Sequence, residues 1–455
     1  MTAPSPAAEA RPKAPARRLC PHPLRAEARG SIAPWAGLVV FLSLAAALAA
    51  KADRWQGNWG ETSLELHAAA TLLGGPLAAA IGCWHGGRER RSRTADLRLS
   101  AARSPLAQFV VAALPVVVAV VLGYVLAAAG TLLASAPYVS AGRLLVLPVV
   151  ADAVFLAATV AVAMVVGRLV RWRPVAAAMA GLTYLALALP RDRDSTARFL
   201  SPAVNGGVGE ALPVWWQPVV MAGWTGGLAV AAVVAYAARR AHGRWVALVP
   251  LAVAVCAAVV LVQAGDRAWR PDPAAGRQVC DGGSPAVCVN ALEADLLPQV
   301  SQALSGVTGR LAGVPNAPVR FEDLPRETHR DEAQLPQLFR GQSVVRGRLA
   351  DPERFAWEAA AGLAGGRDCG GTDPFLRVDE AVRDWLVSNG LSERRRAFWA
   401  RNAREGGDKE AVAAAEAGER ALRHLASMDD ERRRAWLGRY FRSVESCDAR
   451  KVPQL

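Results

Sequence analysis

The sequence predicts an α-helical membrane bundle of about seven transmembrane helices, followed by a mostly α exported domain with a small disulfide-linked hairpin. Of the 455 residues, 52% are hydrophobic and only 20% are charged, which is unlike an ordinary soluble domain. Leu, Ala and Val form long apolar blocks between residues 33 and 264, whereas residues 265–455 are charged and rich in Pro and Gly. Three regions follow: a basic tail (1–32), a transmembrane bundle (33–264) and an extracytoplasmic domain (265–455).

The first 32 residues are rich in Pro, Ala and Arg and lack the small-residue cleavage site of a signal peptide. They are therefore expected to remain as a cytoplasmic tail. Residues 24–29, LRAEAR, favour an amphipathic helical turn just before the membrane. A disordered basic tail is the alternative.

Seven apolar segments come next, each close to the roughly 20 residues that cross the hydrocarbon of a bilayer. They are residues 33–50, 67–84, 106–134, 144–167, 174–189, 218–238 and 245–264. The segments expected inside hold 18 Lys and Arg residues, and the three short outside loops hold six. Because basic residues are enriched in cytoplasmic loops, this bias predicts an inside N-terminus and an outside C-terminus.

The cytoplasmic stretch 86–106 carries six arginines between the second and third segments. Within it, residues 94–106 place apolar side chains at the spacing of one helix face. That stripe consists of Ala95, Leu99, Ala102 and Leu106. The pattern predicts a short amphipathic helix on which a cytoplasmic partner can dock. A solvated basic loop that only sets orientation is the alternative.

Asp152 is an acidic residue well inside the fourth segment, where an ionisable group is costly and marks a pathway or a pairing site. No basic residue is expected at comparable depth in the other segments. A role in a transport path and a hydrogen-bonded or protonated structural aspartate are both open.

The exported region contains Cys280, Cys288, Cys369 and Cys447 without the histidines or spacing of a metal site, so disulfides are expected. Residues 278–290 read as a hairpin, which favours the pair Cys280–Cys288 and leaves Cys369–Cys447 as the second pair. Four cysteines allow three pairings, so the other two stay open. Helices are expected over 291–311, 352–363, 378–389, 392–404 and 408–444. The acidic residues 429–431 beside three arginines are typical of a helix start with intrahelical ion pairs.

Several chemistries are excluded or unsupported by motif. A Walker A loop ends in Gly-Lys-Ser/Thr, and none of the four lysines, at positions 13, 51, 409 and 451, follows a glycine. Zinc-protease and nucleophile-elbow motifs do not occur either. The net charge of +13 is accounted for by arginines beside apolar segments, which argues against nucleic-acid binding. We expect no enzymatic activity, no cofactor, no metal and no catalytic residue.

The basic tail with LRAEAR, the segment RTADLRLSAARSPLAQ (93–108) and about six spans resemble ABC-2 type transporter permeases of actinobacteria. This resemblance covers residues 17–244. It implies that the cytoplasmic helix docks on a separate ATPase and that the protein dimerises. Family members usually have six spans and end inside, whereas this chain adds a seventh and exports its C-terminus.

The exported stretches VCVNALEADLLPQVSQALSGVTGRLAGVPNAPVRF and MDDERRRAWLGRYFRS are similar to a C-terminal domain, of no established activity, found on some such membrane proteins. Two functions are therefore expected as alternatives. The first is a permease-like subunit of an ABC-type exporter in the cell membrane, in contact with lipid and a cytoplasmic ATPase. The second is a non-transporting anchor that presents an exported binding or sensing domain.

Overall fold

The computed structural model describes residues 24, 27, 30–91, 104–139, 142–172, 174–189, 195–204, 211–238, 245–323, 329, 331–363 and 373–455. A helix forms at each of the seven predicted apolar segments. These helices are α1 (Ala33–Ala49), α2 (Trp59–Gly86), α3 (Pro105–Ser135), α4 (Val146–Leu169), α5 (Val175–Ala188), α6 (Gln217–Ala237) and α7 (Leu248–Ala264). One turn of α2, Ala70–Gly74, is π-helical.

Within the described ranges, five helices are long and apolar enough to cross a membrane: α2, α3, α4, α6 and α7 with its flanking turns. By contrast, α1 and α5 have 17 and 14 residues. At 1.5 Å per residue they measure about 25 and 21 Å, less than the roughly 30 Å of a hydrocarbon core. Length and composition thus support five of the seven predicted spans.

Close backbone contacts between helices depend on glycine. Helix α1 packs against α3, and α2 packs against α4. A Cβ atom on Gly123 would collide with the carbonyl of Gly37, and one on Gly167 would collide with the carbonyl of Cys83. Small residues at these positions therefore allow the helix backbones to approach each other. The first contact adjoins a buried cluster that includes Leu44, Val120 and Tyr124. The second adjoins a smaller cluster that includes Cys83 and Ala163.

Two short strands join the bundle to the C-terminal region. Strand β1 (Ala211–Pro213) lies between α5 and α6, and β2 (Trp269–Pro271) follows α7. They pair antiparallel, with Leu212 opposite Arg270. The loop before α6 and the exit from the last helix are thereby held together.

The C-terminal region contains a mixed sheet that was predicted only in part. The expected hairpin is present as β3 (Gln278–Cys280) and β4 (Ala286–Asn290). Strands β5 (Arg320–Glu322) and β6 (Glu332–Gln334) extend it in parallel, in the order β3-β4-β5-β6. A further pair, β7 (Val344–Val345) and β8 (Arg348–Leu349), is antiparallel. No pattern in the sequence predicts β5 to β8, because alternation of apolar and polar residues cannot be recognised over two or three residues.

Six helices surround the sheet or follow it. They are α8 (Leu297–Leu311), α9 (Pro352–Leu363), α10 (Asp373–Val387), α11 (Gly390–Glu405), α12 (Lys409–Ser427) and α13 (Asp430–Ser446). The single helix predicted over 408–444 is wrong. Asp429 accepts a hydrogen bond from the Arg432 amide and begins a new helix, as its acidic cluster predicted. Both α8 and α9 place apolar faces in a core with Phe321, Leu386 and Tyr440.

The disulfide predicted between Cys280 and Cys288 is present, and these residues face each other across β3 and β4. Cys447 is also disulfide-bonded. Its predicted partner, Cys369, lies outside the described residues, so that pairing stays a prediction. Cys256, on α7, is an exposed free thiol.

Candidate functional site

Asp152 does have a basic partner, contrary to the sequence expectation. The Nδ1 atom of His67 on α2 lies 2.7 Å from the Oδ1 atom of Asp152. The hydroxyl of Tyr124 on α3 donates a hydrogen bond of 3.2 Å to its Oδ2 atom. The Asp152 side chain is only 5% exposed and that of His67 is 22% exposed. Three helices therefore converge on one carboxylate.

The position of His67 follows from where α2 begins. Asn58 caps the helix, with its side-chain oxygen accepting a 2.6 Å hydrogen bond from the Gly60 amide. The first two turns of α2 contain Glu61 and Glu65, so apolar composition alone places the start of the span too late, at His67. Because the helix begins eight residues earlier, His67 lies about 12 Å inside it. Asp152, six residues into α4, lies about 9 Å inside, at a similar depth.

Besides Asp152, the residues Pro202 and Val204 lie near the His67 imidazole, in the wall of the same cavity. An ion pair in this setting is expensive to desolvate, and losing one partner leaves an unpaired charge. The pair of His67 and Asp152 can hold a proton. One of its hydrogen bonds can also be replaced by a hydrogen bond to a polar group that enters from the adjacent cavity.

A cavity of about 90 Å³ opens beside this pair. Its polar side chains are Ser63, His67, Asp152 and Gln217, and the rest of its wall is largely apolar. The other lining residues are Gly60, Leu64, Leu145, Pro148, Ala151, Phe155, Pro202, Val204, Ala211, Leu212, Pro213, Pro218, Met221 and Trp269. An apolar cavity with a few converging polar groups is the usual form of a small-ligand site.

The cavity is closed on one side by β1 and β2, which supply Leu212 and Trp269. The C-terminal region also contacts the same end of the bundle elsewhere. The guanidinium of Arg346 donates a 2.9 Å hydrogen bond to the Gln56 side chain. The cavity therefore lies at the end of the bundle that the C-terminal region contacts.

Arg340 forms a second contact at that end. It pairs with Glu293 in the C-terminal region and acts electrostatically on Glu61 of α2. Burial of its carboxyl raises the pKa of Glu293 to about 7, although Arg340 opposes the rise. Two carboxylates thus share one arginine across the junction.

Most of the predicted docking helix falls outside the described residues. Ala95, Leu99 and Ala102 lie outside the described residues, and Leu106 lies in the first turn of α3, 42% exposed. The neighbouring Arg88 is described, and its guanidinium donates a 2.8 Å hydrogen bond to Glu27 of the tail. The tail and the start of the basic stretch therefore meet at one surface.

The candidate site was found only in part from sequence. Asp152 was singled out, whereas His67 and Tyr124 were missed. Tyr124 could have been noticed as a lone hydroxyl in the middle of an apolar helix. Among the described residues, no group of three His, Cys, Asp or Glu side chains is arranged to hold a metal ion.

Comparison of the chain with known protein families, curated proteins and solved structures gives no match. The interpretation of the site therefore depends on its own residues.

Proposed function

We propose that this protein is a permease-like subunit of an ABC-type exporter that handles a small substrate at the cavity beside His67 and Asp152. The observation that carries the proposal is this buried acid–base pair, which lies inside apolar helices and lines a cavity. Ionisable groups at such depth typically mark a substrate or ion pathway. A helix bundle that only anchors a domain has no need of a buried ion pair, whose desolvation is costly.

The proposed arrangement has seven crossings, with the N-terminus in the cytoplasm and residues 265–455 outside. Helices α1 and α5 complete the seven by local thinning of the bilayer, which accommodates short apolar helices at modest cost. Exposed tryptophans near the helix ends fit the two membrane interfaces. They are Trp35, Trp84, Trp172, Trp215 and Trp245.

Energy comes from a separate ATPase in this proposal, because the sequence has no P-loop of its own. The ATPase docks on residues 94–106. The contact between Arg88 and Glu27 supports this placement, since it joins the tail to the start of the basic stretch and builds a broader cytoplasmic surface. Two copies of the chain form the transporter, as the resemblance implies.

Replacing the largest residue of the docking stripe tests the coupling. Leu99→Asp should abolish co-purification of the ATPase and its stimulated turnover, because the groove on the partner would bury an unpaired charge. Orientation should be kept, since all six arginines remain. Asp152→Asn is the matched variant: it should retain the ATPase and lose stimulated turnover. Normal association and turnover of Leu99→Asp at equal membrane abundance would rule out the docking helix.

The second candidate is a non-transporting anchor that presents an exported binding or sensing domain. It is favoured by the separate core of the C-terminal region, where Phe321, Phe355 and Tyr440 are fully buried. A membrane protein purified without any ATPase, with stability that depends on Asp152 but no turnover, would support this candidate.

A further inference from the structure

Helix α11 has an unusual surface. Its two large aromatic side chains, Phe398 and Trp399, are 48% and 58% exposed, although the neighbouring helices α9 and α10 contribute to a well-formed core. The rings contact each other edge to face, with centroids 5.5 Å apart. Adjacent exposed aromatic residues on one helix usually indicate a surface that is covered by a partner.

The same helix is strongly basic. It contains five arginines and two glutamates. Arg394, Arg395 and Arg401 line the surface groove beside Phe398 and Trp399. Two of the arginines are fixed in place: Arg394 pairs with Glu353 at 3.0 Å, and the Arg395 guanidinium stacks 4.3 Å from the Trp357 ring. The aromatic pair is therefore framed by positive charge.

The start of α11 is tied to the side of the domain that meets the bundle. Asn389, its cap, donates a 2.9 Å hydrogen bond to the Glu353 carbonyl at the start of α9. Helix α9 begins six residues after Arg346, which contacts Gln56 at the end of the bundle. The start of α11 is therefore linked to the contact with the bundle by one hydrogen bond and seven residues of chain.

We infer that the surface of α11 formed by Phe398, Trp399 and Arg401 binds the anionic headgroups of the membrane in which the protein is embedded. Aromatic rings and arginines together are the composition of helices that lie in a membrane interface. Anionic lipid attracts the arginines, and the rings enter the headgroup layer. This inference rests on the proposed exported position of residues 265–455.

Photocrosslinking of the full chain tests the contact. Phe398 is replaced with the photoreactive amino acid benzoylphenylalanine, and the protein is placed in nanodiscs of phosphatidylcholine alone or mixed with phosphatidylglycerol. Lipid adducts are measured by mass spectrometry. We expect adducts to phosphatidylglycerol in the mixed discs. Arg401→Gln should lower the yield about fivefold, since an arginine at an anionic surface contributes about that factor.

Two further label positions make each outcome decisive. Leu126, 58% exposed on α3, should give lipid adducts in both kinds of disc. Ala413, exposed on α12, should give few. Adducts at Leu126 but none at Phe398 would overturn the inference, as would equal yields at Ala413 and Phe398 or a crosslink from Phe398 to a second copy. Failure at Leu126 would instead contradict the proposed membrane bundle.

Discussion

The buried pair of His67 and Asp152, with Tyr124, lies inside the helix bundle, where the burial of charged groups costs the most free energy. Removing one partner of such a pair typically costs about 3 to 5 kcal/mol, because the other charge is left without compensation. Removing both leaves no unpaired charge. The energetic effects of these residues are therefore expected to be strongly coupled.

A double-mutant cycle measures this coupling. His67→Ala and Asp152→Ala should each destabilise the protein in detergent by several kcal/mol, about 3 to 5, while the double variant should lose clearly less than their sum. Tyr124→Phe, which removes only one hydrogen bond, should cost about 1 kcal/mol. Additive losses in thermal or denaturant unfolding would show that the pair does not interact.

The raised pKa of Glu293 predicts how pH changes the stability of the protein at the junction between the bundle and the C-terminal region. Its pKa is about 7 in the folded protein against an ordinary 4.5, so the folded state binds more protons between these values. The free energy of unfolding should therefore fall as pH rises from about 4.5 to about 7, by on the order of 2 to 3 kcal/mol.

Glu293→Gln should remove most of this pH dependence, measured as the change of the melting temperature with pH. Glu353→Gln, which changes an exposed glutamate on α9, serves as the control and should leave the slope in place. An unchanged slope in Glu293→Gln would assign the pH dependence to other groups.

At the scale of elements, apolar composition located all seven helices of the bundle but not their ends. Helix α2 begins at an Asn58 cap within a polar stretch, and hydropathy alone does not detect such a start. Strands β5 and β6 are too short for periodicity and pair only through tertiary contacts. The hairpin was predictable because its turn residues and two cysteines are close in sequence.

Glycines give the sharpest prediction about elements. Gly167→Ala should weaken the packing of α4 on α2 by about 1 to 3 kcal/mol, because its Cβ atom would meet the Cys83 carbonyl. A Cβ atom on Gly130 of α3 would meet no neighbouring atom. Gly130→Ala should therefore be neutral or stabilising by up to about 1 kcal/mol. Equal effects of the two substitutions on the melting temperature would contradict the close contact between α2 and α4.

At the scale of the whole molecule, the structure brings together parts that are far apart in the sequence. Trp269 and Leu212 close the cavity, and Arg346 binds Gln56 across nearly three hundred residues. Sequence patterns report local structure, so neither the cavity nor the junction at the same end of the bundle could be inferred from them. The acid in the cavity was recognisable only because charge is rare in an apolar helix.

The orientation of the bundle is the remaining prediction at this scale. Fusions at Arg98 and Arg240 should report the cytoplasm, and a fusion at Ala350 should report the outside, because 18 basic residues lie in the predicted inside segments and six in the outside loops. If only the five long helices crossed, with α1 and α5 lying in the interface, the count would still be odd. Fusions at Lys51 and Arg98 separate the two cases. From an inside N-terminus, seven crossings place Lys51 outside and Arg98 inside, whereas five crossings place Lys51 inside and Arg98 outside. A cytoplasmic signal at Ala350 would contradict an odd number of crossings and, with it, an exported C-terminal region.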